Sequence, residues 1–101
     1  MRIEIEYKSQ YNSVKITSDD ENDTFICNGR RVMQPAYIFQ EMLLDIVFNW
    51  EEKMINPDIK DAESYKINIY TDNENFCFMG QGNYPDNFIE FKNLILEVAN
   101  G

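Results

Sequence analysis

The sequence predicts a single α+β domain, in which two helices cover one face of an antiparallel sheet, in the order β-β-β-β-α-β-β-α. Three observations lead to this prediction. Short segments alternate apolar and polar residues, and two longer segments repeat apolar residues with the helical period. Turn residues separate the short segments, so neighbouring strands should pair antiparallel. The 101 residues suffice for one core, so we expect residues 1–101 to form one domain.

Alternation predicts the first two strands, which each place one face in water. Their inward residues are Ile3, Ile5, Tyr7, Val14 and Ile16. The acidic run at 19–23 has no apolar period and predicts a solvated loop. Asn28-Gly29 is the residue pair that a type I′ turn favours, so residues 24–27 and 30–33 should form a hairpin.

The first helix is predicted to begin at Pro35. Neither glycine nor proline interrupts the next eighteen residues, and we expect the helix to continue to about Met54. At about 100° per residue, its core face comprises Ala36, Phe39, Leu43, Ile46, Val47, Trp50 and Met54.

Two further strands, at 65–71 and 76–79, are followed by a turn at 80–83 and the last helix, at 85–99. The predicted core face of that helix comprises Phe88, Phe91, Leu94, Ile95 and Val98. Ile89 and Leu96 lie one heptad apart on its far side. They are interpreted either as scattered surface residues or as the seam of a homodimer.

The two cysteines, Cys27 and Cys77, both lie in apolar runs, which favours reduced and packed thiols. A disulfide between them remains an alternative. The N-terminus carries charges where a signal peptide needs an apolar stretch, and no apolar run is long enough to span a membrane. We expect a cytoplasmic protein, either bacterial or, if phage-encoded, in the host cytoplasm.

The sequence predicts no catalytic residues, no cofactor and no metal, and therefore a protein that is not an enzyme. It contains no histidine, which is the commonest general base and metal ligand. The acidic run begins with the spacing of a calcium loop, but Thr24 and Arg30 stand where that loop requires glycine and glutamate. Gly80-Gln81-Gly82 lacks the lysine and hydroxyl residue of a phosphate-binding loop.

The net charge of −9 is concentrated in two segments, with −4 in residues 19–29 and −5 in residues 41–64. On the predicted first helix, Glu41, Asp45 and Glu52 share the outward arc with Phe48, and Tyr37 lies beside them. One interpretation is that a loop at 58–64 folds over Phe48. The other is a partner surface, on which aromatic residues anchor the contact and carboxylates steer it.

These features predict a non-enzymatic acidic inhibitor or interaction protein that binds a basic surface of a nucleic-acid-handling protein, without binding nucleic acid directly. The predicted partner-binding residues are Tyr37, Glu41, Asp45, Phe48, Glu52, Asp19, Asp20, Glu21 and Asp23. Phage counter-defence proteins that mimic nucleic acid, of the anti-CRISPR or anti-restriction type, have this general size and charge. The alternatives are an immunity protein that neutralises a nuclease toxin, and a nucleotide or small-molecule sensor. The sensor would be built around the turn from Gly80 to Tyr84 and the open sheet face with Lys15, Lys66, Asn68 and Tyr70.

Overall fold

A seven-stranded sheet and two helices form two layers in the computed structural model, which describes residues 1–19, 23–59 and 62–100. The strands are β1 (Arg2–Lys8), β2 (Ser13–Asp19), β3 (Thr24–Cys27), β4 (Arg30–Val32), β5 (Lys53–Ile55), β6 (Ser64–Tyr70) and β7 (Asn75–Gln81), and the helices are α1 (Ala36–Val47) and α2 (Phe88–Asn100). The spatial order is β4-β3-β2-β1-β6-β7-β5, with all pairs antiparallel except β5–β7. The predicted class and element order are confirmed, and β5 is an additional short strand.

The core lies between the helices and one face of the sheet. Ile5 at the centre of β1 pairs with Ile16 and Ile67, and all three are at most 1% exposed. Leu43 from α1 and Phe91 from α2 are fully buried in the same cluster. Burial of this apolar surface is the main force that holds the two layers together.

The β3–β4 hairpin has the predicted tight turn. Asn28 and Gly29 have φ angles of 51° and 83°, the left-handed conformation that a type I′ turn requires. The Asn28 side chain also binds β2, because its Oδ1 accepts the Lys15 N–H at 2.8 Å. On β4, the second strand of this hairpin, the Arg30 guanidinium donates to the Ala99 carbonyl at 3.1 Å and so binds the C-terminal end of α2.

An aromatic cluster fills the core beneath the start of α2. The ring centroids of Trp50 and Tyr65 lie 5.2 Å apart, and those of Trp50 and Phe91 lie 5.5 Å apart. The Tyr65 ring lies directly over Gly80, where a Cβ atom would come within 2.4 Å of it. Gly80 therefore allows close packing between β6 and β7. The Tyr65 hydroxyl has no hydrogen-bond partner among the described residues, and burial raises the pKa of this phenol to about 12.

The first helix is shorter than predicted, ending at Val47 instead of about Met54. Asn87 is responsible, since its amide Nδ2 donates to the Ile46 carbonyl at 2.8 Å and its Oδ1 accepts the Trp50 indole N–H at 2.7 Å. This contact turns the chain inward and buries Trp50. Met54 consequently belongs to β5 and is only half-buried.

Two predicted side-chain positions are also wrong. Cys77 pairs with Asn68 on the face away from the helices and is exposed, whereas Cys27 is buried beneath them, and both thiols are free. The apolar neighbours Phe76 and Phe78 had suggested that Cys77 is buried as well. Leu96 packs partly against the core, so of the two seam residues only Ile89, at 58% exposure, points freely outward.

None of the helices in the described part of the chain combines the length and the apolar character that a membrane crossing needs. This agrees with the absence of a long apolar run in the sequence.

We predict that Asn87→Ala lowers the free energy of unfolding by about 2 kcal/mol, because it leaves a buried indole N–H without an acceptor. Trp50 is the only tryptophan, so its fluorescence reports on the change directly. We expect red-shifted emission from the folded variant and a lower urea midpoint. The control is Asn93→Ala, an exposed position on α2. Equal midpoints for the two variants would contradict the role of Asn87.

Candidate partner-binding surface

The outer side of α1 carries the aromatic and acidic residues that the sequence singled out. Tyr37, Glu41, Asp45 and Phe48 fall within an arc of about 80° that points away from the sheet. Phe48 directly follows α1, and its N–H bonds to the Leu44 carbonyl at 3.1 Å, which continues the helical path. Tyr37 is 56% exposed and Phe48 74% exposed. The described residues of the 58–64 segment therefore do not cover Phe48.

The second helix adds carboxylates that sequence reasoning missed. Glu90 and Glu97 lie one heptad apart on the outer side of α2, and both are exposed. The same heptad spacing that drew attention to Ile89 and Leu96 could have identified them. We call Glu41, Asp45, Glu90 and Glu97 the acidic helix surface. None of the four forms an ion pair with a described residue.

The other predicted partner-binding residues do not join this surface as a group. Glu52 is exposed but lies in the turn before β5, because α1 ends earlier than predicted. Asp19 ends β2 and forms an ion pair with Arg31. Asp23 is exposed, and its carbonyl accepts the Ala36 N–H at the start of α1 at 3.1 Å. Asp20 and Glu21 lie outside the described residues.

The opposite face of the sheet carries most of the basic residues. Lys15 and Lys66 flank Glu6 in one row across β2, β1 and β6, and Met79 and Lys53 continue the row onto β7 and β5. We call Lys8, Lys15, Lys53 and Lys66 the lysine sheet face. All four are exposed and none pairs with a described carboxylate. A shallow depression of about 240 Å³ lies beside Lys8 and Lys66.

The residues of the nucleotide-sensor alternative do share this face. Asn68 and Tyr70 are half-buried on β6, on the side of Lys66. The guanidinium of Arg2, however, lies 5.7 Å from the centre of the Tyr70 ring, and it also bonds to Glu4 at 2.7 Å. One side of the tyrosine ring is therefore already covered, which leaves less of it for stacking on a base.

A groove of about 650 Å³ separates the β3–β4 hairpin from the two helices. Val32 and Leu94 line its apolar interior, while Met33, at 92% exposure, and Met42 stand at its sides. No cluster of three metal-ligating side chains occurs among the residues that the structure describes.

Tyr7, Glu63 and Lys92 form a cluster of titratable groups at the side of the domain. Tyr7 donates to Glu63 Oε1 at 2.8 Å, and Lys92 donates to the same oxygen at 2.5 Å. Burial opposes ionisation of Glu63, but the two hydrogen bonds outweigh it and lower the pKa of this carboxyl. Burial and the bond to Glu63 raise the pKa of Tyr7. The cluster joins β1 and α2 to the segment before β6, so we interpret it as structural.

We predict that Glu63→Gln destabilises the fold at pH 7 by about 1 kcal/mol, after allowance for the partial exposure of the pair. The pKa of Glu63 is lower in the folded state, so its contribution is complete above about pH 5 and is lost as pH falls through the folded pKa. The difference between wild type and variant, measured by urea unfolding, should therefore shrink from pH 7 to pH 3. A difference independent of pH would contradict this account. Glu97→Gln, at an unpaired exposed carboxylate, should change stability at pH 7 by less than about 0.5 kcal/mol.

We also predict that Phe48→Ala changes the free energy of unfolding by less than about 0.5 kcal/mol, because the ring buries little surface in the free protein. Phe39→Ala, in the same helix but 3% exposed, should cost about 3 to 5 kcal/mol. Urea unfolding of both variants makes the comparison. A large loss for Phe48→Ala would show that the ring packs within the domain.

No family model matches the chain, and neither the curated proteins nor the solved structures give a match.

Proposed function

We propose that this protein is a non-enzymatic inhibitor or interaction protein whose acidic helix surface docks on a basic surface of a nucleic-acid-handling protein. The observation that carries the proposal is the exposure of Phe48, beside two carboxylates that no described cation neutralises. A phenylalanine that is 74% exposed leaves most of its apolar area in contact with water. Burial of that area against a partner would be favourable by about 1.5 to 3 kcal/mol.

The carboxylates around the aromatic residues define the chemistry of the partner. Glu41 and Asp45 lie one helical turn apart, and like charges at this spacing weaken the helix by a few tenths of a kcal/mol. Arginine and lysine side chains on a partner would remove that repulsion. They would also gain charge-assisted hydrogen bonds. Proteins that handle nucleic acid present such cations in rows, because they bind phosphates.

The finer form of the proposal is a phage counter-defence protein whose carboxylates replace nucleic-acid phosphates in the groove of a defence nuclease. An immunity protein that neutralises a nuclease toxin would use the same surface. The two forms differ only in the partner, and competition with nucleic acid is expected for both.

The test is capture of partners from a lysate of the encoding organism, at about 0.1 M salt, with immobilised wild type and with Glu41→Lys/Asp45→Lys. We expect wild type to retain a nucleic-acid-binding protein that is released by about 0.5 M salt and displaced by excess duplex DNA or RNA. The charge-reversed variant should bind at least about tenfold more weakly.

Asp72→Lys/Glu74→Lys is a matched control, since it makes the same charge change in the β6–β7 turn, which is part of neither helix. Retention that persists in high salt, is unaffected by nucleic acid, or is lost equally in both variants would contradict the proposal.

A further inference from the structure

The two broad faces of the molecule carry opposite charge. Among the residues that the structure describes, the face away from the helices holds six cations, which are the lysine sheet face together with Arg2 and Arg31, and three carboxylates, Glu4, Glu6 and Asp19. The helices carry four carboxylates and a single cation, Lys92, which is already bonded to Glu63. One side of an acidic protein is therefore locally positive.

The dimensions of the molecule allow these faces to act separately. The principal extents are 42 × 32 × 18 Å, and the shortest corresponds to the stack of one sheet and one helix layer. At about 0.1 M salt the Debye length is about 10 Å, less than the thickness of the molecule. A charged group approaching the sheet therefore experiences the lysines more strongly than the carboxylates on the far side.

We propose that the lysine sheet face binds the acidic helix surface of a second copy of this chain, in a head-to-tail arrangement. Charge complementarity supports this occupant, because unpaired carboxylates face unpaired lysines across the contact. The area is also sufficient, since a face of 42 by 32 Å exceeds the roughly 800 Å² that each partner buries in a typical stable interface. Phe48 and Tyr37 would then contact the apolar parts of the sheet face at Met79 and Cys77.

Nucleic acid is the less favoured occupant. The net charge of −9 repels a polyanion that extends beyond the face, and Arg2 covers one side of the Tyr70 ring. A second copy places its own most acidic surface directly on the lysines, while its positive face points away. Self-association and the proposed function use the same acidic helix surface, so each would exclude the other on a given molecule.

Sedimentation velocity over a range of protein concentrations tests the proposal. At about 0.1 M salt the average mass of wild type should rise above 12.0 kDa with concentration, and at about 0.5 M salt it should return to the monomer value. Lys15→Glu/Lys66→Glu and Glu41→Lys/Asp45→Lys should each reduce the association constant at least about tenfold.

Mixing these two variants gives the decisive result, because each retains the one surface that the other has lost. The mixture should associate although neither variant does so alone, since acidic surfaces on one variant then meet basic surfaces on the other. A chain that carries all four substitutions should associate again, through the reversed charges.

A wild type that stays monomeric at about 0.1 M salt and about 1 mM protein would overturn the inference, as would a mixture that stays monomeric. Binding of a labelled oligonucleotide to monomeric wild type, lost in Lys15→Glu/Lys66→Glu, would assign the face to nucleic acid instead. Lys15→Glu/Lys66→Glu places two new carboxylates on either side of Glu6, which could unfold the protein. If circular dichroism shows that this variant is unfolded, Lys15→Gln/Lys66→Gln replaces it. These outcomes do not depend on the capture experiment, so either proposal can fail alone.

Discussion

Two hydrogen bonds between Asn87 and the end of α1 fix where the chain leaves the helix and where Trp50 packs. By accepting the Trp50 indole N–H and donating to the Ile46 carbonyl, one amide holds the start of α2 against the last turn of α1. Trp50 is thereby drawn into the aromatic cluster. The chain released from the helix reaches the edge of the sheet and forms β5. Phe48, at the point where the direction changes, stays in water because the residues after it turn inward.

The elements that the sequence predicted well are those whose signal is local. Alternation in β1 and β6, and the Asn28-Gly29 pair, act over a few residues, and the structure agrees with them. The end of α1 is held by Asn87, forty-one residues after Ile46, and a local sequence pattern cannot reveal that contact. Glu52 was placed wrongly for the same reason. Cys77 was misplaced because its apolar neighbours suggest burial, whereas strand pairing decides which face a residue occupies.

The candidate surface was only partly accessible to sequence analysis. Helical spacing correctly grouped Tyr37, Glu41, Asp45 and Phe48, because that arc lies within one helix. The lysine sheet face could not be recognised as a unit, since its members come from four strands whose order in the sheet differs from their order in the chain. A net charge adds all residues regardless of position. It therefore conceals a positive face on an acidic protein.

The two outermost strands of the sheet, β4 and β5, are three residues long. An exposed edge of this length offers few free N–H and carbonyl groups, so it is a poor template for backbone pairing with another chain. At the β5 edge this effect is partial, because β5 pairs only with Met79, Gly80 and Gln81 of β7 and no described strand covers the rest of β7 on that side. The broad faces differ from this edge in that a contact on them depends on charged side chains, and salt weakens such a contact.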